Sequence, residues 1–142
     1  MIGIVAIGAA LQAAAVPAPV QPAVDWRVAP VTGGSWVWRA IPGGSEAVFL
    51  DGRGPQLTIR CSMASRLIAV SRTGAIAGAP LVVRTSSAER TLPWAAALPA
   101  RDPLLDAIAF SRGRFAVEVA GAPRLIVPAW PEAARAVEDC RN

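Results

Sequence analysis

Two cysteines are the residues whose chemistry depends most directly on how this chain folds. Cys61 closes the alternating segment QLTIRC, and Cys140 lies near the C-terminus in VEDCRN. Alternation places Cys61 on the inward face of a strand, and helical spacing places Cys140 with Ala133 and Val137 on the buried face of a helix. In an oxidising compartment these two inward-facing thiols would form a disulfide. The alternative is two separate buried thiols, which are common core residues.

A serine and a pair of aspartates could take part in catalysis or metal binding. The segment GGSEA resembles a nucleophile elbow around Ser45, but Ala47 replaces its last glycine and the chain has no histidine to serve as base. We therefore interpret the segment as a turn. Asp102 and Asp106 stand one helical turn apart and could bind a cation, but helix capping and compensation of the helix dipole explain both. No metal site is predicted.

Missing residue types exclude the enzyme mechanisms that depend on histidine or lysine. The chain has no histidine and no lysine, so it cannot form a Ser-His-Asp triad, a Walker-type phosphate loop or a Schiff base. A hydrolase built on two carboxylates stays open as an alternative, with Asp25, Glu46 and Asp51 as candidates, but nothing in their spacing supports it. The sequence therefore predicts a protein that is not an enzyme and that uses no cofactor.

Two pairs of residues are candidates for contact with a partner. Trp36 and Trp38 share one face of a strand, where they could stack on a sugar or an apolar peptide, although such tryptophans more often lie in the core. Arg112 and Arg114 flank a glycine at the predicted end of a helix, and a small anion or an acidic partner could bind between them. The other three tryptophans are expected in or beside the core: Trp26, Trp94 and Trp130.

The chain is basic but contains no basic run. Its net charge is +4, and its basic residues are all arginines, spread along the chain among acidic residues. Neither a basic cluster nor a nucleic-acid-binding motif is visible, so nucleic acid is not predicted as a partner. A diffuse positive charge favours an anionic polymer or an anionic surface instead.

The N-terminus has the features of an export segment. Residues 2–11 are wholly apolar, and the alanines at 13–15 supply a small-x-small cleavage site. The run is shorter than the roughly 20 residues that span a bilayer. We therefore predict a signal peptide at 1–15. The alternative is an uncleaved anchor in the inner membrane, because no positive residue precedes Arg27.

The predicted domain follows a short proline-rich spacer. Three prolines fall within residues 16–24, which favours a stiff, extended segment. Residues 25–142 then form a single β-rich domain. After signal cleavage no transmembrane span is expected, and the predicted location is periplasmic or secreted.

Short apolar runs separated by glycine and proline predict a mainly β fold. Runs recurring about every ten residues are typical of antiparallel strands in a sandwich or barrel. Two short helices are predicted, one at 103–112 with Asp102 as N-cap and one at 131–140 beginning at Pro131. The predicted strand segments are DWRVAP, WVWRAI, EAVFLD, QLTIRC, RLIAVS and LVVRTS.

The segment RFAVEVAGAPRLIV predicts a hairpin with a defined register. A three-residue loop at 120–122 would pair its inward apolar residues and place Glu118 opposite Arg124 on the outer face. A shift of one residue would spoil both matches. The expected apolar pairs are Phe115 with Val127 and Val117 with Leu125.

Several of these parts occur together in a known kind of protein. The chain has an apolar strand ending in IRC, a later strand LVVRT followed by Trp94, and a C-terminal helix ending in Cys140. Together they resemble small bacterial periplasmic sandwich domains with one disulfide, such as the invasion-associated locus B proteins and the accessory proteins associated with type VI secretion. The resemblance covers residues 35–142.

This resemblance implies a function without catalysis. It implies an exported accessory or binding protein of the bacterial envelope that contacts another envelope component, either a protein or an anionic or glycan component. The alternative is an inhibitor or ligand-binding module for an envelope hydrolase or glycan. Exposed arginines, with Trp36 and Trp38, would form the contact, and no catalytic residue carries over.

Overall fold

The computed structural model describes residues 24–142, which form two antiparallel sheets and two helices. This confirms the predicted mainly β class with two short helices. The predicted signal peptide at 1–15 and almost all of the predicted spacer at 16–24 lie outside the described residues. The elements in chain order are β1 (Ser35–Ile41), β2 (Gly44–Asp51), β3 (Gly54–Ser62), β4 (Leu67–Arg72), β5 (Leu81–Arg84), β6 (Glu89–Leu92), β7 (Ala97–Pro99), α1 (Pro103–Ala109), β8 (Arg114–Val119), β9 (Ala122–Pro128) and α2 (Pro131–Arg141).

The strands divide into two sheets. Sheet 1 has the order β1-β2-β3-β4-β7, and sheet 2 has the order β6-β5-β8-β9. The inner faces of both sheets contribute to one core, in which the ring of Trp36 on β1 contacts Phe49 on β2 and Phe115 on β8, with centroids 5.6 and 6.3 Å apart. The Trp36 Nε1–H donates to the Pro128 carbonyl at 2.8 Å, which ties the two sheets together at that point.

Helix α2 packs on sheet 1 and carries the second half of the disulfide. Its buried residues include Ala133, Val137 and Cys140, as the helical spacing predicts. Cys61 faces inward from β3, and its sulfur is bonded to that of Cys140 at 2.07 Å, with the two Cα atoms 5.6 Å apart. The predicted disulfide is confirmed, and the alternative of two separate buried thiols is wrong.

The hairpin β8–β9 confirms the predicted register and corrects the loop. Phe115 lies opposite Val127 and Val117 opposite Leu125, and a guanidinium nitrogen of Arg124 lies 3.9 Å from the Glu118 carboxylate. The strands, however, pair as far as Val119 and Ala122, so the turn has two residues rather than three. A register shift between Val117 and Val119 absorbs the extra residue, as β-bulges do.

Three other sequence expectations need correction. DWRVAP is not a strand, because the Asp25 carboxylate accepts a hydrogen bond from the Arg27 backbone N–H at 3.0 Å and nucleates a turn. Strands β6 and β7 are absent from the prediction, since each is very short and neither contains an apolar run. Helix α1 begins at Pro103 after its Asp102 cap, as expected, but ends at Ala109. Beyond it the Ser111 hydroxyl accepts the Ser86 N–H and the Arg112 N–H donates to the Ser86 hydroxyl, so these residues bond to the β5–β6 connection instead.

Within residues 24–142, neither helix is long or apolar enough to cross a membrane.

Candidate anion-binding cleft

Three arginines from distant parts of the sequence line one surface cleft. The cleft has a volume of about 260 Å³. It is lined by residues of the turn before β1, the β5–β6 connection, the α1–β8 connection and the start of β8. We call this the arginine cleft, and its residues are Trp26, Arg27, Ser86, Arg112 and Arg114.

The turn before β1 forms one wall of the cleft because it packs on the outer face of sheet 2. Trp26 and Ala29 are buried there against Ala116 on β8 and Ile126 on β9. The Arg114 guanidinium donates to the Ala29 carbonyl at 2.6 Å, which fixes both the turn and the arginine side chain. Arg27, next to buried Trp26, is thereby held at the cleft.

The turn is also joined to the edge of sheet 2. Strand β9 is one of the two edge strands of that sheet. The Thr32 N–H donates to the Ile126 carbonyl at 2.8 Å, and the Ile126 N–H donates to the Thr32 hydroxyl oxygen at 3.1 Å. These bonds satisfy backbone groups that an edge strand would otherwise leave unpaired.

The opposite wall is held by two serines. The Ser86 N–H donates to the Ser111 hydroxyl at 3.0 Å, and the Arg112 N–H donates to the Ser86 hydroxyl at 3.0 Å. The Ser111 hydroxyl in turn donates to the Arg114 carbonyl at 2.5 Å. This network joins the β5–β6 connection to the α1–β8 connection, so the backbones that carry Arg112 and Arg114 are fixed relative to Ser86.

The cleft carries positive charge that its own lining does not neutralise. No acidic residue lines it. Among the residues described, neither Arg112 nor Arg114 has a carboxylate within ion-pairing distance. Arg27 has a 3.4 Å contact with Asp25, and both side chains are more than half exposed, so water screens that pair strongly. Arginine guanidinium groups in this arrangement suit carboxylates or phosphates.

Two exposed apolar side chains accompany the arginines. Val28 follows Arg27 in the chain and is 76 % exposed, and Phe110 lies two residues before Arg112 and is 80 % exposed. An exposed aromatic residue together with arginines is a composition typical of protein interfaces.

The structure brings together only one of the two predicted contact pairs. Arg112 and Arg114 line the same cleft, as their spacing suggested. Trp36 is 4 % exposed and belongs to the core, so the paired stacking platform expected on β1 does not exist. The half-buried ring of Trp38 is covered by the guanidinium of Arg135, whose central carbon lies 3.4 Å from the ring centroid.

The other three tryptophans were all expected in or beside the core, but only one of them is buried. Trp26 is buried, as predicted, although in a small cluster outside the main core. Trp94 and Trp130 are 50 % and 44 % exposed, respectively. Trp94 lies in the turn after β6, and Trp130 is the N-cap of α2. Neither residue belongs to a strand, so neither lies on the inward face of a sheet.

Ser45 lies in a strand rather than in the predicted turn, and its side chain makes a structural hydrogen bond. It is the second residue of β2, is 1 % exposed, and donates to the Asp139 carboxylate at 2.7 Å. The Trp38 indole N–H donates to the same carboxylate oxygen at 3.0 Å. Asp139 therefore anchors α2 to sheet 1 beside the disulfide.

The three carboxylates of the hydrolase alternative are each held by arginine. Burial by itself raises the pKa of Glu46, but hydrogen bonds from Arg39 and Arg60 and their charges outweigh it, so the pKa is lowered. Backbone N–H donation is the main cause that lowers the pKa of Asp25 and of Asp51. A general acid needs a raised pKa, and none of the three has one.

The aspartates of α1 likewise have arginine partners. Asp102 accepts the Leu104 N–H at 2.8 Å, as an N-cap does, and forms an ion pair with Arg90 that lowers its pKa. Asp106 lies 2.9 Å from a guanidinium nitrogen of Arg141. Across residues 24–142, no three Cys, Asp or Glu side chains cluster closely enough to hold a metal ion.

Sequence reasoning missed Trp26, Arg27 and Ser86 as partners of Arg112 and Arg114. The sequence pattern assigns Trp26 and Arg27 to a strand, and it gives no sign of the connection that carries Ser86, because β6 has no apolar run. The only local signal is the aspartate two residues before Arg27, which favours a turn.

Comparisons of the chain with protein-family models, with curated proteins and with solved structures give no match.

Proposed function

We propose that this chain is an exported, non-catalytic binding protein of the bacterial envelope, and that its arginine cleft contacts an acidic segment of another envelope protein. The observation that carries the proposal is the convergence of Arg27, Arg112 and Arg114 in a cleft without acidic residues. The cleft carries the positive charge that would recognise an acidic segment, and hydrogen bonds hold its walls in place before binding. A site that is ordered before binding lowers the entropic cost of binding.

The proposed location rests on the disulfide and on the N-terminal sequence. Disulfides persist in oxidising compartments such as the periplasm, and this one joins Cys61 to Cys140. The apolar run at 2–11 with its small-residue site suits a signal peptide. Both features agree with the resemblance to locus B and type VI accessory proteins, which we extend here as part of the proposal.

The surroundings of the cleft favour a protein partner over a glycan. A sugar would be expected to stack on an exposed aromatic platform, but the predicted pair does not form one, because Trp36 is buried and Trp38 is covered by Arg135. The exposed rings of Trp94 and Trp130 do not line the arginine cleft. Val28 and Phe110 instead offer exposed apolar side chains within two residues of Arg27 and Arg112 in the chain. That combination suits a peptide segment with both acidic and apolar side chains.

The test is site-specific photo-crosslinking in the native host. A photoreactive phenylalanine analogue replaces Phe110, and a second version carries it at Met63, a half-exposed position that does not line the cleft. We expect one defined protein adduct from position 110, none of the same mass from position 63, and an envelope protein on identification by mass spectrometry.

Charge reversal provides the matched control. Arg112→Glu should abolish the adduct and weaken binding of the purified partner by about tenfold or more, because a charge pair becomes a like-charge contact. Arg114 is left unchanged, since its guanidinium also holds the turn before β1. Arg101→Glu changes an exposed arginine outside the cleft and should leave both unchanged. Equal crosslinking from both positions, or an adduct that survives Arg112→Glu, would refute the proposed site.

A further inference from the structure

A second cavity lies between the two sheets and shares no lining residue with the arginine cleft. It has a volume of about 140 Å³ and lies where β4 of sheet 1 faces β5, β6 and β8 of sheet 2. We call it the intersheet cavity. Its buried walls include Val70 on β4, Leu81 on β5 and Leu92 on β6. Leu81 and Leu92 lie opposite each other in the pairing of β5 with β6, so the apolar walls are fixed by the sheets themselves.

Small side chains complete the walls and leave the space between the sheets unfilled. Ala75 and Ala79 of the β4–β5 connection line the cavity, and so does Ala96, which directly precedes β7. The β4–β5 connection is held in place because its Ile76 N–H donates to the Ala120 carbonyl at 2.9 Å. An alanine side chain is a single methyl group and fills little volume. The wall atoms of such a void lack dispersion contacts that a bound apolar molecule would supply.

One side of the intersheet cavity opens to solvent beside Trp94. Trp94 lines the cavity, is 50 % exposed, and lies in the turn after β6. The Ala96 N–H closes that turn by donating to the Pro93 carbonyl at 3.1 Å. Within the turn, Ala95 has φ +55°, a left-handed conformation that a Cβ disfavours. Strained backbone of this kind clusters at ligand clamps and active sites, and here it sets the position of the residue that carries the exposed aromatic ring.

The intersheet cavity offers no free charge to a ligand. Among the residues described, Arg72 is the one charged residue in its walls. The terminal nitrogens of this arginine donate to oxygens of Gln56, Thr73 and Pro123, which line a separate surface cleft. Its Nε is buried. A charged group inside the cavity would lose its hydration without gaining a partner, so the walls select against charged ligands.

From these observations we propose that the intersheet cavity binds one small, uncharged, apolar molecule. The volume sets the size of the ligand, because an apolar protein cavity of about 150 Å³ accommodates one benzene molecule. The part of the ligand that enters the cavity should therefore contain about six carbon atoms. Trp94 adds an aromatic surface at the opening, which favours a ligand with an aromatic ring. The site is independent of the contact proposed at the arginine cleft, since the two share no residue.

The test is a titration of the full chain with benzene, followed by two-dimensional amide NMR. We expect saturable shifts with one-to-one stoichiometry at the amides of Ala75, Ala79 and Ala96. The amides of Arg27 and Arg112 in the arginine cleft should not shift. The matched probe is 1,4-dioxane, an uncharged six-membered ring of similar size with two ether oxygens. It should bind at least about tenfold more weakly, because its oxygens would leave water for apolar walls.

Two variants carrying the same substitution assign the binding to the cavity. Ala96 both lines the cavity and packs against the core, so the ring introduced by Ala96→Phe should occupy the place of the ligand and abolish the benzene shifts. Ala69→Phe is the control, because Ala69 is exposed on the outer face of β4 and does not line the cavity, and benzene binding should be unchanged.

The outcome does not depend on the folding of one variant. If Ala96→Phe does not fold, the position of the shifts in the wild type and the comparison with 1,4-dioxane still decide the matter. Absence of saturable benzene shifts, shifts centred away from the cavity, equal affinity for 1,4-dioxane, or unchanged binding by folded Ala96→Phe would each overturn the proposal.

Discussion

At the scale of single residues, Glu46 shows how a β-sheet holds a charge on its outer face. Glu46 on β2 pairs in register with Arg39 on β1 and with Arg60 on β3. Its two carboxylate oxygens lie 2.6 and 2.8 Å from the guanidinium nitrogens of these arginines, and its side chain is 2 % exposed. Because each oxygen has its own cation, the carboxylate stays ionised in a crowded position and links three strands.

We expect Glu46→Gln to make the unfolding free energy less sensitive to acid. A carboxyl group whose pKa is lowered by folding stabilises the protein above its unfolded pKa, and that contribution disappears as the pH falls. The ordinary pKa of a glutamate side chain, which applies to Glu46 in the unfolded chain, is 4.5. The variant should lose about 1 kcal/mol at pH 7, since both guanidinium groups remain half in water. It should differ little from the wild type at pH 3.

The measurement is urea unfolding followed by tryptophan fluorescence at pH 7 and pH 3. Glu138→Gln is the matched control, because Glu138 lies on α2 with its side chain 58 % exposed and pairs with one arginine only. At pH 7, Glu138→Gln should lower the unfolding free energy by less than Glu46→Gln does. An equal loss in the two variants, or a Glu46→Gln loss that persists at pH 3, would contradict a stabilising ion-pair role.

At the scale of elements, the β1–β2 hairpin requires glycine for two different reasons. Gly43 lies in the turn with φ +78°, and a Cβ there would meet no atom within 4 Å. Gly44 begins β2, and a Cβ there would overlap the Cys61 carbonyl oxygen. The second constraint comes from a neighbouring strand, whose backbone is held by strand pairing and by the disulfide.

Alanine at the two positions should therefore have unequal costs. Gly43→Ala strains only its own backbone, which costs about 1–2 kcal/mol for a left-handed residue. Gly44→Ala forces β3 away from β2, and we expect a loss of about 3 kcal/mol or more. Urea unfolding of the two variants measures the difference. A Gly44→Ala loss no greater than that of Gly43→Ala would show that β3 can move aside at low cost.

At the scale of the whole molecule, the disulfide joins the first sheet to the last helix. Cys61 and Cys140 are separated by 79 positions, so the bond closes a loop containing most of the described elements. A closed loop of that length removes much of the conformational entropy of the unfolded chain. The bond therefore stabilises the folded state largely through its effect on the unfolded state.

Replacing both cysteines by alanine should lower the unfolding free energy by about 4–5 kcal/mol. Denaturant unfolding of Cys61→Ala/Cys140→Ala measures this loss, and wild-type protein unfolded in reductant serves as the control. The two should agree, because the described residues contain no free cysteine. A loss below about 1 kcal/mol would mean that the unfolded chain is already compact around these segments.

Local sequence patterns are sufficient to predict the elements whose formation depends on neighbouring residues. Short apolar runs locate seven of the nine described strands, and the cross-strand pairs of Phe115 and Val117 give the β8–β9 register. Asp102 and Pro103 mark the start of α1. These signals lie within a few residues of the elements that they specify, so no knowledge of distant contacts is needed.

The sequence by itself determined the mainly β class, the starts of both helices and the inward direction of Cys61 and Cys140. Only the tertiary structure decided that Arg27 joins Arg112 and Arg114 and that Trp36 is buried. The physical reason is the distance along the chain over which each kind of signal acts. Periodicity reports which face of an element is buried, whereas a cleft or cavity depends on how separate elements pack, and no local pattern encodes that arrangement.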